Sequence, residues 1–227
     1  MLNIKKMMQN LYQLRDEDFA KYHINSDPIE GKIPKQIRGK VIRESLDCGY
    51  EEARSLMGMV ELPNGVRDID IVRLAESLGI SIKMKKAHNA MEYIYFGTYE
   101  EPGIIRLYQD NIRKGEALVK EHNIEELIGI NLEEVVLAHE IFHHIEARKK
   151  ELYVNSFRIN LWKLGPYTHR SRLICTGEIA GMAFARKLLN LNFCPNVLDV
   201  LFLYPHNQMQ AERLYQEIIK LSKKDYE

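Results

Sequence analysis

The stretch VVLAHEIFHHIEARKK, residues 135–150, carries three of the chain's eight histidines among apolar neighbours. Projected at roughly 100° per residue, Leu137, Ala138, Ile141, Phe142 and Ile145 form one arc, and His139, Glu140 and His143 fill the sector beside it. Imidazoles and a carboxylate at the margin of an apolar face are costly to bury unless something coordinates or pairs them. Two histidines one helical turn apart can share an ion, supplying two corners of a tetrahedral zinc site whose nitrogen ligands sit at about 2.0–2.1 Å. Glu140 lies next to the pair and not between the rings, which is the place of a general base acting on water. Asn131 reads as the N-cap, with Glu134 in the reciprocal N3 position, so the helix is expected from Leu132 to about Lys150. His144 falls toward Glu133 on the polar side and is expected to be solvated.

A catalytic zinc needs a third protein ligand and an open position. The extended pattern HExxHxxGxxH does not continue here, because Glu146 and Lys149 occupy the glycine and final histidine positions. Glu146 itself reads as a surface carboxylate. Glu178 is the better candidate, since it stands amid Cys175, Ile179, Ala180, Met182 and Phe184 in a second apolar helix expected over about 172–189, where a lone carboxylate needs a partner. A salt bridge from Glu178 to Arg172, Arg186 or another cation is the competing reading. Gly181, one turn on, fits close approach of another backbone, such as that of the histidine-bearing helix.

Outward from these helices the chain reads as helical in its first sixty residues, with one opening segment to about Tyr22 and another helix near Ile37 to Met57. ELPNG at 61–65 marks a boundary. A helix from Ile69 stops at Gly79, ISIKM alternates as a strand, and YIYFGTYEEPGIIRLY reads as a hairpin around Glu101-Pro102-Gly103. A polar helix is expected over 111–122. FRINLW alternates briefly, Gly165-Pro166 opens a loop, and Pro195 and Pro205 frame a short apolar segment. The last helix, 207–223, is expected to dock through Met209, Leu214, Ile218 and Leu221.

Lys plus Arg equal Asp plus Glu at 32 each, so no global field draws the chain to nucleic acid or anionic lipid. No stretch is long enough to span a bilayer and no signal-peptide pattern opens the chain, which points to the cytoplasm. Cys48, Cys175 and Cys194 are widely spaced and odd in number, as expected of reduced, buried thiols.

LAHEIFHHIE resembles the active-site helix of the ImmA/IrrE family of zincin-like metalloproteins. GEIAGMAFARKLL resembles that family's second signature, a glutamate followed at fixed offsets by Phe-Ala and Leu-Leu, here Glu178, Phe184, Ala185, Leu188 and Leu189. DIVRLAESLGISIKM is similar to its helix-then-strand entry. The resemblance spans about residues 66–191, departing at Gly181-Met182 and Asn190-Leu191. It implies an α+β, zincin-like fold, predominantly helical with a small sheet beside the HExxH helix. Residues 1–62 would then be a helical N-terminal region matching no known element, and 63–227 a metallopeptidase domain carrying the C-terminal helices. His139, His143 and Glu178 would hold one Zn²⁺ per chain and Glu140 would be the base. The partner would be an extended peptide added to an edge strand, from a protein such as a transcriptional repressor. A helix-turn-helix sometimes accompanies the family, but neither YEEARSLMG nor LAESLGIS is followed by a basic recognition helix, which with the balanced charge argues against DNA.

Peptide hydrolysis also requires an oxyanion donor. Tyr167, His169 and Arg172 precede the Glu178 helix, and Tyr204 and His206 flank Pro205; the sequence does not choose among them. Two other classes stand beside the peptidase: a non-catalytic metal-binding regulatory or sensor protein of the same fold, and an interaction protein without metal. The oligomeric state is not legible.

Overall fold

The first segment is two helices where the sequence suggests one. In the computed structural model, which describes residues 2–59, 69–86 and 94–226, α1 covers Ile4–Tyr12 and α2 covers Asp16–Ser26. Arg15 between them is extended, and its N–H is taken by the Asp18 carboxylate at 3.1 Å, which caps α2 and breaks the run. A 3₁₀ turn leads into α3, Lys35–Met59. The ELPNG boundary at 61–65 lies outside the described residues, as does Tyr93 at the start of the expected hairpin. Next come α4, Ile71–Ser77, capped by Asp70 and stopped at Gly79 with φ +76°, and β1, Ser81–Lys85.

The expected hairpin is present as β2, Gly97–Glu100, and β3, Ile104–Tyr108. β1 runs parallel to β3 and β2 antiparallel to it, giving the order β1-β3-β2 with β2 at an edge. Ile105 and Leu107 point from the central strand into the core. Helix α5, Gln109–Glu121, precedes α6, Leu132–Arg148, whose first N–H groups donate to Asn131 Oδ1 at 3.1 and 3.3 Å. After the short α7, Tyr153–Ser156, comes a second hairpin, β4, Ile159–Leu164, and β5, Tyr167–Ser171. The sequence shows the first strand by alternation but makes the second a loop. Tyr167 and Thr168 are strand formers, and Gly165 at φ +56° supplies the turn that returns them.

The chain closes with α8, Ile174–Leu188, α9, Val197–Leu203, and α10, Gln208–Ser222. On α10, Ile218 and Leu221 are buried as expected, but Met209 is exposed because it lies in the first turn, clear of the core. The fold is mixed α+β, mostly helical, with a small sheet against α6. Ile4, Met7, Met8, Leu11 and Phe19 enter the same apolar core as Ile141 and Phe142 of α6. Helix α3 lies along α8 with Gly49 against the Ala180 carbonyl, leaving no room for a side chain at 49.

Two expectations about α6 are overturned. His144 is buried, not solvated: β2 and the α4 end cover that face, Tyr99 meets its ring edge-on at 5.4 Å, and Arg148 Nη1 donates to its Nε2 at 2.6 Å. Arg148 also reaches the Pro102 carbonyl at 2.9 Å, tying the hairpin turn to the helix. Glu146 is no surface carboxylate, its side chain being only 12 % exposed. The three cysteines are free and buried, and among the described residues no helix is long and apolar enough to cross a membrane.

Candidate metal centre

Helices α6 and α8 pack side by side and bring three donors together. His139 Nε2 and His143 Nε2 are 3.0 Å apart, His139 Nε2 is 3.5 Å from Glu178 Oε2, and His143 Nε2 is 3.8 Å from Glu178 Oε1. Donors at the corners of a tetrahedron with bonds of about 2.05 Å are separated by about 3.3 Å, so the spacing of this cluster is compatible with a single metal ion. Among the described residues it is the one group of three such side chains able to hold a metal ion. Of the alternative salt bridges from Glu178, none to Arg172 or Arg186 is formed, and the cation it meets is the His139 imidazole when protonated. Arg172 instead donates to Glu146 and Asn155, and Arg186 pairs with Asp16 at 2.7 Å.

Two glycines on α8 make the approach possible. A Cβ at Gly181 would lie 2.9 Å from both Cε1 and Nδ1 of the His139 ring, and one at Gly177 would lie 3.0 Å from a Glu146 carboxylate oxygen. Gly181 thus makes way for a ligand's imidazole, not for the backbone of α6. His139 Nδ1, pressed into this niche, has no hydrogen-bond partner, whereas His143 Nδ1 lies 2.9 Å from Glu146 Oε2. With Nδ1–H donating to Glu146, the His143 lone pair on Nε2 faces the cluster centre, the arrangement a metal ligand requires. Glu146 is fixed in turn by Arg172 at 3.4 Å, and Arg172 by Asn155 Oδ1 at 2.6 Å. The sequence signal for this support was the carboxylate one turn beyond His143.

Charge at the cluster is strongly coupled. Burial opposes a charge on His139, but the Glu178 carboxylate beside it dominates and raises its pKa to about 9. Burial likewise pushes on Glu178, yet the His139 contact and the two histidines hold its pKa well below the ordinary carboxylate range. His139 is therefore held protonated beside the Glu178 carboxylate at neutral pH. Glu140 differs: burial raises its pKa, Glu178 adds to the rise, and the two histidines oppose it.

The edge strand lies directly over Glu140. A Cβ at Gly97 would be 2.6 Å from Val136 Cγ1 and 2.8 Å from the Glu140 carboxylate, so glycine alone lets β2 pass so close. On one side of the cluster a cavity of about 430 Å³ is walled by β2, Val135, Met182, Leu198 and Phe202 and reaches all of His139, Glu140, His143 and Glu178. On the other side a polar cavity of about 500 Å³ is bordered by Tyr99, Glu140, His143, Glu146, Lys150 and Arg172.

Of the five oxyanion candidates, Arg172 alone borders the centre. In the β4–β5 hairpin His169 stacks on Trp162 and Tyr167 meets the same ring at a tilt, with centroids at 5.2 and 5.6 Å. Tyr204 is buried in the core, and His206 meets the Phe96 ring edge-on at 6.4 Å, lining neither cavity. The sequence singled out neither Asp199, on the wall of the apolar cavity, nor His23, which reaches toward it from α2 through Asn196.

The fold and the cluster together define a mixed α+β protein with a His-His-Glu group able to hold a metal ion. Comparison with protein-family models, curated proteins and solved structures finds no match.

Proposed function

We propose that the protein is a zinc-dependent endopeptidase of zincin-like fold that hydrolyses a peptide bond in a protein substrate. The observation that carries the reading is the convergence of Glu178 on His139 and His143, with Glu140 buried beside them at the wall of two open cavities. Two imidazoles and one carboxylate are a donor set of catalytic zinc sites. When bound there, zinc supplies Lewis acidity toward a carbonyl and toward water. Glu140, its pKa raised by burial toward the working range of a general base, takes the proton of the attacking water and delivers it to the leaving amine. Glu146 holds the His143 ring in the ligating orientation.

The outer edge of β2 has no strand beside it among the described residues, and although the Tyr99 backbone already bonds Glu140, an extended peptide can pair along that edge across the centre. Membership of the ImmA/IrrE family, proposed on the strings in α6 and α8, extends the reading to a transcriptional repressor as substrate and to the cytoplasm as the site of action. The balanced charge supports a protein partner over nucleic acid.

The test compares zinc-loaded wild type with Glu140→Gln against candidate repressors and a mixed peptide library, read by mass spectrometry. Wild type is expected to cleave, and Glu140→Gln to retain zinc without cleaving. Zinc in both proteins with cleavage by neither would favour the regulatory, metal-sensing reading.

A further inference from the structure

The apolar cavity contains one side chain that its lining does not explain. Phe96 and Phe202 stack at 4.5 Å to form one wall, with Leu198 and Met182 beside them, and apart from the metal cluster and Glu140, Asp199 is the charged residue of that surface. Asp199 Oδ2 accepts from Asn196 Nδ2 at 3.0 Å, and among the described residues its other oxygen takes no hydrogen bond and no Lys or Arg pairs with it. Asn196 is itself 2.7 Å from His23 Nε2, so the amide that holds the carboxylate is fixed in turn, and Asp199 is half-buried at the cavity wall. Asp199 stands in the first turn of α9, whose dipole offsets only part of the cost of an unpaired carboxylate among apolar groups.

From this juxtaposition we infer that the cavity is a specificity pocket for a lysine or arginine side chain of the bound peptide, with Asp199 receiving the charged tip. The inference rests on the peptidase reading of the adjoining centre. A long aliphatic stem fits the apolar walls while its cation completes the missing ion pair, and the Phe96 and Phe202 faces add cation–π attraction. An apolar side chain of equal length would fill the same volume and leave Asp199 both desolvated and unpaired, so the pocket discriminates against it.

Binding is measured with the zinc-loaded Glu140→Gln protein, which separates recognition from turnover. The probes are fluorescein-labelled ten-residue peptides of Ser, Ala and Gly carrying one Lys, Arg, Met, Leu or Glu at the centre, read by anisotropy. The Lys and Arg peptides are expected to bind at least about tenfold more tightly than the Met peptide, as a closely paired charge allows. Asp199→Asn should abolish that preference and Asp199→Lys should transfer it to the Glu peptide. Met or Leu peptides binding as well as Lys, a preference surviving Asp199→Asn, or no binding of any probe would each overturn the inference. The Lys–Met comparison in the unchanged pocket decides even where an Asp199 variant misfolds. Intact preference together with no cleavage by wild type would count against the peptidase reading alone.

Discussion

Replacing Gly181 by alanine sets two effects of opposite sign against each other. In the interior of α8 the change from glycine favours the helix by up to about 1 kcal/mol. The new methyl, however, lies 2.9 Å from Cε1 and Nδ1 of His139, where ordinary contact needs about 3.5 Å. The neighbour is an aromatic ring on a packed helix, so relief comes from displacing the imidazole by about 0.5 Å, which is the positional tolerance of a metal site. Misplacing one ligand this far is expected to weaken zinc binding about 10- to 100-fold, or about 1.4–2.7 kcal/mol, while the metal-free protein melts within a few degrees of wild type. Competition with a chromophoric zinc chelator at pH 7.5, beside thermal melts of both metal-free proteins, measures the two effects separately. Wild-type zinc affinity in a folded Gly181→Ala protein would refute the packing described for His139.

Three further outcomes follow from the same geometry. Because the His139 pKa is raised to about 9 in the metal-free protein, metal must displace its proton; zinc binding at pH 7 is expected to release about one proton, with affinity falling about tenfold per unit as pH drops below 9, measurable by calorimetry in buffers of differing ionisation enthalpy. The sign reverses for folding: the His139–Glu178 pair stabilises the metal-free protein fully between about pH 4.5 and pH 6.5, and this contribution is lost as pH rises through 9, so its urea midpoint should decline from about pH 6.5 to 9 unless Glu178 is changed to Gln. Glu146→Ala frees the His143 ring and leaves Arg172 without its carboxylate partner, so zinc affinity should fall about 10- to 100-fold with the fold retained, and an unchanged affinity would mean that Glu146 does not orient the ring.

The centre was legible in the sequence to the extent that it is local. The i, i+4 spacing of His139 and His143, the Asn131 cap and the phasing against Ile141 and Phe142 depend on one helix alone. Glu178 was legible because an acid within an apolar helix calls for a partner. What stayed hidden depends on neighbours distant in the chain. His144 looks solvated on a helical projection, and only the sheet and Arg148 bury it. Glu146 has polar company because α7 and the segment before α8 bring Asn155 and Arg172 to it. Asp199 is one acid in the short apolar segment between Pro195 and Pro205 until α9 and the neighbouring β2 set it at the wall of the cavity beside the metal cluster. Strand β5 escaped notice because its pattern is short and polar and its stability comes from pairing with β4.

Elemental analysis of the untagged protein, purified without added metal, is the most direct test of the proposal that two imidazoles of α6 and the Glu178 carboxylate of α8 share one cation. Close to one equivalent of zinc is expected in wild type and in Glu140→Gln, and little in His139→Ala or Glu178→Ala. A folded wild-type protein that carries no metal and cannot be loaded would contradict it, as would full occupancy after loss of Glu178.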